Sequence, residues 1–206
     1  MKYLGIIFGH KLTWKHHISE LRTKLGRGIG ILSKLKRHKM PNKSLNGLYY
    51  SVFQCHLSYG ITSWGFTTKE NRDKLQNLQN KCVRVIGNLK RDENTDLTRK
   101  ILGILSVDQL WQLEIAKNMW DFENLNLPCA LADLFQYIQH DSAAQTRSCT
   151  NNLVSVSRPM ITETHGRNCL TFIGAKILNE LKLLELFKTP SKEKFVKEYT
   201  KLLLAS

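Results

Sequence analysis

Apolar residues recur at helical spacing through most of this chain, and this pattern predicts a series of amphipathic helices. The first predicted helix covers about residues 14–37, with Thr13 as its N-cap. Its apolar face consists of Ile18, Leu21, Leu25 and Leu32. Three glycines, at positions 26, 28 and 30, lie inside this helix, so the pattern also allows a kink there.

The same periodicity continues to the end of the chain, with two exceptions described below. Caps and apolar spacing mark predicted helices at Pro41 to Leu57, Thr68 to Gly87, Ser106 to Met119, Asn126 to Tyr137, Phe172 to Leu186 and Pro190 to Leu203. Ser106 and Gln109 have the spacing of a capping box, in which each residue's side chain bonds the other's backbone amide. The sequence therefore predicts a mainly α fold.

Two segments depart from helical spacing. The β-branched and aromatic run Tyr3 to Phe8, closed by Gly9, predicts a short strand, which alone would be an unpaired edge. Residues 139–168 are rich in Ser, Thr, Asn and Gln, and predict a polar, irregular segment in which Leu153, Val154 and Val156 alternate weakly like an edge strand. The expected organisation is thus a strand or hairpin remnant over 1–13, a basic helical domain over 14–138, a polar loop over 139–168 and C-terminal helices over 169–206.

Composition indicates how large a core the chain can bury and in which cellular compartment we expect it. A chain of 206 residues with 42% hydrophobic residues is long and apolar enough to bury a substantial core. Its five cysteines are odd in number and form no C-x-x-C pair, which is typical of reduced intracellular thiols. The sequence shows neither a secretory signal nor an apolar run of membrane-spanning length, so we expect a nuclear or cytoplasmic protein without a membrane partner.

Charge is distributed very unevenly. Residues 1–91 contain 18 Lys and Arg against three acidic residues, a net charge of +15, whereas residues 92–206 carry a net charge of −1. A surplus of this size favours polyanionic partners, and nucleic acid is the leading candidate. On the first helix Arg27, Lys34 and Arg37 project opposite the apolar face, and Lys36, Lys39 and Lys43 continue this charge. A solvated face without a ligand is the alternative interpretation.

No arrangement of residues predicts catalysis. Polymerases hold two metal ions with closely placed carboxylates, and no paired acids lie between apolar strands here. Asp92-Glu93 falls in a polar loop, and the Gly26 to Gly30 stretch has neither the spacing nor the preceding strand of a phosphate loop. His165 and Cys169 could share a metal with Cys149 or His140, but their spacing is not that of a structural zinc site. We therefore predict no catalytic residue, no metal, no cofactor and no small-molecule substrate.

A series of short motifs resembles one protein family. In order, these are Lys2 to Ile7, Lys11 to Trp14, His17-Ile18, Gly30 to Leu35, Leu48 to Phe53, His56 to Gly60, Trp64-Gly65, Leu75 to Ile86, Ile104 to Val107 and His140 to Arg147. Together they resemble the thumb and C-terminal region of LINE-type, jockey-like reverse transcriptases of non-LTR retrotransposons. The chain departs from the family pattern at Gly9, where the family usually has Asp, and at Gly174 to Asn179.

The resemblance implies both a function and its limits. In that family this region resembles the primer-grip hairpin and the helical thumb, which hold RNA template and DNA primer, while the catalytic acids of the palm would precede Met1. The expected function is therefore that of a truncated polymerase fragment that binds an RNA/DNA duplex without catalysing polymerisation alone. Alternatives are a transposon relic without function and a helical protein-interaction domain. The expected nucleic-acid-binding residues are Lys15, Arg22, Arg27, Lys34, Lys36, Arg37, Lys39 and Lys43.

Overall fold

A computed structural model describes residues 1–10, 12–135, 170–183, 186, 189 and 191–206, and across these ranges the chain is mainly helical, as predicted. Two short strands, β1 (Lys2–Tyr3) and β2 (Ile6–Ile7), precede the helices. The helices are α1 (Lys15–Arg37), α2 (Asn42–Leu48), a π-helical segment (Tyr49–Gln54), α3 (Cys55–Ser58), α4 (Ile61–Trp64), α5 (Lys69–Gly87), α6 (Asp96–Ile101), α7 (Val107–Glu123), α8 (Cys129–Ala132), α9 (Leu170–Leu183) and α10 (Lys192–Ala205).

The N-terminal residues form a hairpin, not the single unpaired strand that was predicted over 3–8. β1 and β2 pair antiparallel, with Lys2 opposite Ile7. Leu4 and Gly5 turn the chain with positive φ angles of 46° and 82°, as expected in a two-residue hairpin turn. The single-strand prediction was wrong because the turn residues lie inside the apolar run and interrupt its pattern only at Gly5. The two halves of the run hydrogen-bond to each other through their backbones.

Helix α1 matches its predicted span and runs without interruption through its three glycines. Its predicted apolar face is confirmed, because Ile18, Leu21, Leu25 and Leu32 are all buried. The predicted N-cap is wrong: Trp14 occupies the N-cap position with a φ of 59°, and no side chain caps the helix. Gly28 is also buried, and a Cβ added there would lie 3.5 Å from the carbonyl oxygen of Val52 and 3.7 Å from the ring of Phe53.

Helices α1 and α5 lie side by side and run in the same direction. Their first turns line a common groove, and near their C-terminal ends Lys36 of α1 bonds the carbonyl of Ile86 in α5. The predicted apolar face of α5 is buried, and it includes Leu75, Cys82 and Ile86. Burying two apolar faces along five turns fixes the rotation of each helix about its axis, and hence the direction of its polar side chains.

The connection between α1 and α5 was predicted as one helix from Pro41 to Leu57, and it is helical throughout. It differs from a regular α-helix at the π-helical segment, which inserts extra residues into the turn between α2 and α3. Tyr49 and Phe53 of that segment are fully buried, and their stacked ring centroids lie 5.3 Å apart. The wider turn thus places two aromatic rings together in the core.

The predicted capping box at the start of α7 is confirmed. The backbone N–H of Gln109 donates to Ser106 Oγ at 3.2 Å, and the N–H of Ser106 donates to Gln109 Oε1 at 3.0 Å. Between α5 and α7 the structure adds α6, which the sequence did not predict. Its buried Arg99 donates to the carbonyl of Ile104, which holds the short helix in place.

The chain divides into two compact units, Met1–Trp111 with Leu204–Ser206, and Gln112–Leu203. The first unit contains the hairpin and the α1 to α6 region. Aromatic residues build the core of the second unit: the rings of Trp120 and Phe195 lie 6.4 Å apart, and those of Phe122 and Phe135 lie 5.3 Å apart. Lys192 also forms an ion pair with Asp121 in this unit.

Some expectations fall on residues outside the described ranges. These are the polar segment at 139–168, its edge strand, the domain boundaries on either side of it, and the candidate ligands His140, Cys149, His165 and Cys169. Among the residues that are described, no three His, Cys, Asp or Glu side chains come together in a way that could hold a metal. No described helix combines the length and the apolarity needed to cross a bilayer.

Candidate nucleic-acid interface

Three basic side chains form an exposed row along the outer side of α1. With the stripe around Leu25 buried, a rotation of about 100° per residue points Arg27, Lys34 and Arg37 away from the core. All three are exposed, and no ion pair within the described parts of the chain involves them. We call these three residues the outward ridge, because their charges are free to meet a ligand.

Lys36 lies in the same helix but has a different environment. Its Nζ donates to Asn42 Oδ1 at 2.7 Å and to the backbone carbonyl of Ile86 at 3.3 Å. The side chain is therefore half-buried and joins the ends of α1, α2 and α5. These two hydrogen bonds would compete with any phosphate for the Lys36 ammonium group.

Lys39 and Lys43 follow α1 on the surface. Lys39 is exposed and closes the helix end with a φ of 58°, its backbone N–H bonding the carbonyl of Lys36 at 2.9 Å. Lys43 is exposed in the first turn of α2. Both positions can present charge to solvent beyond the last turn of α1, where Arg37 ends the outward ridge.

Lys15 and Arg22 project toward α5, away from the outward ridge. They line a groove of about 420 Å³ together with Ser19 of α1. From the other side, the first turns of α5 contribute Thr68, Glu70, Asn71 and Lys74. Seven of the eight predicted binding residues thus divide between an outward side and this groove, which we call the α1–α5 groove, whereas Lys36 lies on neither.

The α1–α5 groove carries a net positive charge. Lys74 Nζ lies 2.6 Å from Glu70 Oε1, and no ion pair in the described part of the chain involves Lys15 or Arg22. The hydrogen bond and the charge of Lys74 lower the pKa of Glu70, and the charge of Lys15 acts in the same direction. Because Lys15 affects Glu70 from the opposite helix, the charges of the two helices meet in one site.

Not every basic residue of the first unit is available to a ligand. Arg72 Nη1 donates to the carbonyls of Gly65 and Thr67, and its Nε lies 2.6 Å from Asp108 Oδ1. Its guanidinium also stacks 5.2 Å from the ring centroid of Trp111. Arg72 therefore has a structural role that a count of charges could not distinguish.

Sequence alone makes α5, with Lys74, Lys81 and Arg84, a second candidate binding surface after α1. It did not pair Lys74 with Lys15 and Arg22, because their positions are separated by about fifty residues. Helical spacing gives the direction of a side chain within one helix only. The signal that could have found the groove is the parallel packing of α1 on α5, which appears only in the fold.

Comparison with known proteins identifies relatives of this chain. It is 32% identical over 111 residues to the RNA-directed DNA polymerase from mobile element jockey of Drosophila melanogaster, covering 50% of this chain and 12% of that protein. It is 28% identical over 89 residues to the probable RNA-directed DNA polymerase from transposon X-element of the same organism, covering 41% of this chain and 10% of that protein.

The chain thus spans about a tenth of the length of the curated relatives it matches. No protein-family profile matches the chain. No solved structure matches it significantly. The recognition made from sequence motifs is nevertheless confirmed: this chain is related, at modest identity and over about half its length, to the RNA-directed DNA polymerases of non-LTR retrotransposons.

Proposed function

We propose that this chain is a fragment of a retrotransposon RNA-directed DNA polymerase that binds RNA/DNA duplex but does not polymerise alone. The outward ridge is the observation that carries this proposal. Its three exposed cations lie on a long helix whose opposite face is buried. The net charge of +15 over residues 1–91 supports the same partner.

A rigid basic helix suits the sugar-phosphate backbone. Phosphate contacts from Lys and Arg supply affinity that is largely independent of base sequence, since the backbone is the same at every step. Residues of the outward ridge recur every one or two turns of α1, so each can meet a different phosphate. We therefore expect this binding to depend strongly on salt and weakly on sequence.

The second part of the proposal is the lack of catalysis by this chain. Phosphoryl transfer by polymerases requires carboxylates that hold two metal ions close together. The sequence contains no pair of acids between apolar strands, and its adjacent pair Asp92-Glu93 is exposed among Lys90 and Arg91. Binding and catalysis would thus be carried by different parts of a longer polymerase.

Charge reversal of the outward ridge tests the binding surface. We expect the triple variant Arg27→Glu, Lys34→Glu, Arg37→Glu to lose most affinity for RNA/DNA duplex while it keeps its helical content. If each side chain contacts one phosphate, the slope of log affinity against log salt should fall by about 2–3. Titration of a labelled duplex at two salt concentrations, with circular dichroism of each protein, measures both effects.

A matched control is available in α10. Lys194, Lys197 and Lys201 are three exposed lysines of one helix, in the part of the chain that has no positive surplus. Their reversal to Glu changes the net charge equally, and we expect a much smaller loss of affinity. Equal losses in the two triple variants would mean that overall charge, not the outward ridge, governs binding. Absence of duplex binding by the unaltered chain would favour a relic or a protein-interaction domain.

A further inference from the structure

The α1–α5 groove has a shape and a charge that the outward ridge lacks. The outward ridge is convex and solvated, whereas the groove is a concave site of about 420 Å³ between two helices. Three cations reach it from two different helices: Lys15 and Arg22 from α1, and Lys74 from α5. A concave site with convergent charges can surround a single anionic group, which a convex row of charges cannot.

We infer that the α1–α5 groove is a phosphate-binding site that holds one phosphate group of a nucleic-acid strand. This inference rests on the proposed function for the identity of the strand, but the site itself is argued from the groove. Arg22 offers the bidentate N–H geometry that matches phosphate oxygens, and Lys15 and Lys74 supply point charges. Ser19 and Thr68 add hydroxyl groups that can donate hydrogen bonds to the same ligand.

The backbone around the groove favours the same ligand. Lys15 is the first residue of α1 and Thr68 is the N-cap of α5, so two parallel helices begin beside the groove. The first N–H groups of a helix lack intrahelical partners and carry partial positive charge. The hydroxyl of Thr68 makes no capping hydrogen bond to α5, so it does not compete for these N–H groups.

Glu70 is the one acidic side chain among the residues that line the groove. Its carboxylate forms an ion pair at 2.6 Å with Lys74, the cation that α5 contributes to the groove. A phosphate entering the groove must compete with this carboxylate for Lys74. Removal of the Glu70 charge should therefore strengthen phosphate binding, whereas removal of a groove cation should weaken it.

Two pairs of matched variants test the inference. Arg22→Gln removes a groove cation, while Arg91→Gln removes an exposed arginine that belongs to neither the groove nor the outward ridge. Glu70→Gln removes the groove carboxylate, while Asp73→Asn removes an exposed carboxylate of the same helix that does not line the groove. Each pair changes net charge equally, so a difference within a pair reports the site and not the overall charge.

The first probe is inorganic phosphate added to the full chain, followed through backbone amide resonances. We expect saturable shifts at Ser19 and Asn71. The phosphate affinity obtained from them should fall about three- to tenfold in Arg22→Gln and rise about threefold in Glu70→Gln. Arg91→Gln and Asp73→Asn should each have a smaller effect than their partners. Equal effects within both pairs, or no saturable shift at the groove, would overturn the inference.

The second probe separates two sources of phosphate. Single-stranded oligonucleotides of one sequence, with a 5′-phosphate or a 5′-hydroxyl, are titrated by fluorescence anisotropy. If the 5′-phosphorylated strand binds more tightly and Arg22→Gln removes this preference, the groove binds a terminal phosphomonoester. If both strands bind equally and Arg22→Gln weakens both, the groove binds an internal phosphodiester. If the chain binds no oligonucleotide but inorganic phosphate still binds the groove, the proposed function is wrong and the phosphate site is retained. If the outward ridge is needed for duplex binding but phosphate does not bind the groove, only the inferred phosphate site is wrong.

Discussion

Gln79 is a fully buried polar side chain with partners on three sides. Its Nε2 donates to Tyr49 Oη and to the carbonyl of Leu105, both at 2.8 Å, and its Oε1 accepts from Gln76. Burial raises the pKa of the Tyr49 phenol well above its usual value, so this hydroxyl stays protonated. The amide thus joins α5, the π-helical segment and the residue before the α7 capping box.

We predict that Gln79→Leu lowers the free energy of unfolding by about 2–4 kcal/mol, because two buried groups lose their partner. Tyr49→Phe is the matched variant: it removes one of the two acceptors and leaves the bond to Leu105, so we expect a loss of about 1 kcal/mol. Urea denaturation followed by circular dichroism measures both. A Gln79→Leu protein as stable as the unaltered chain would contradict this account of the core.

His17 connects the hairpin to α1. It is buried beside Trp64, and its Nδ1 accepts the backbone N–H of Ile7 at 3.4 Å. Burial lowers the pKa of His17 below its usual 6.5, although the charge of Glu20 opposes the shift. The neutral ring is therefore the form that the fold requires, since a protonated Nδ1 cannot accept this hydrogen bond.

This environment predicts a pH dependence of stability. The unfolded chain takes up a proton at His17 near pH 6.5 and the folded chain only at lower pH, so the free energy of unfolding falls as pH drops through this interval. Above about pH 8 His17 is neutral in both states and contributes no slope. We expect His17→Gln to flatten the dependence between pH 7 and 5, measured by urea denaturation, while the exposed neighbour variant His16→Gln keeps it. Parallel curves for the two variants would exclude His17 as the source.

At the scale of elements, the glycines of α1 are a weakness of the helix and not a hinge. A methyl group at Gly26 or Gly30 would meet no atom within 4 Å, and the helix passes both positions without interruption. Glycine in a helix interior costs up to about 1 kcal/mol relative to alanine, through backbone entropy.

We therefore predict that Gly26→Ala with Gly30→Ala raises the free energy of unfolding by about 1–2 kcal/mol. Gly60→Ala serves as the contrasting variant: its φ is +62°, and an added Cβ would lie 2.5 Å from Ile6 Cδ1, so it should destabilise the hairpin contact. Thermal unfolding separates the two cases. A lower melting temperature in the double variant would indicate that the glycines permit a bend the protein needs.

The elements that could be predicted from sequence are those whose signals are local. The span of α1 and the capping box of Ser106 and Gln109 depend on residues within a few turns of each other. The hairpin turn at Leu4-Gly5 was missed because an apolar residue adopts a positive φ there, which propensity disfavours. The short helix α6 was missed because its six residues, Asp96–Ile101, are too few to show a helical periodicity.

At the scale of the whole molecule, binding and catalysis should separate. We predict that the purified chain incorporates no deoxynucleotide on a primed RNA template, with magnesium or manganese present, because no carboxylate pair is available for the metals. The same preparation should bind the primed template in a salt-sensitive way. Primer extension on a denaturing gel measures incorporation, and template-dependent extension that survives rigorous purification would refute the prediction.

The candidate site was only partly predictable for a related reason. The outward ridge follows from the periodicity of α1 alone, and the structure leaves Arg27, Lys34 and Arg37 exposed as expected. The α1–α5 groove depends on which helices pack together and in which direction. Lys74 joins Lys15 and Arg22 only because α1 and α5 are parallel.

The parallel arrangement of α1 and α5 has a consequence for the order of folding. Two parallel helices cannot be joined by a short turn, and Lys36 meets the carbonyl of Ile86 across 50 residues of chain. Closing so long a loop costs entropy before any contact forms, so α1 and α5 should dock only after the intervening helices have shortened the path. A nascent chain that has not reached residue 87 would already carry the outward ridge on α1, which can pack on the π-helical segment but not yet on all of α5. The groove would be completed only after α5 has docked, so a polyanion in the cell would meet the ridge first.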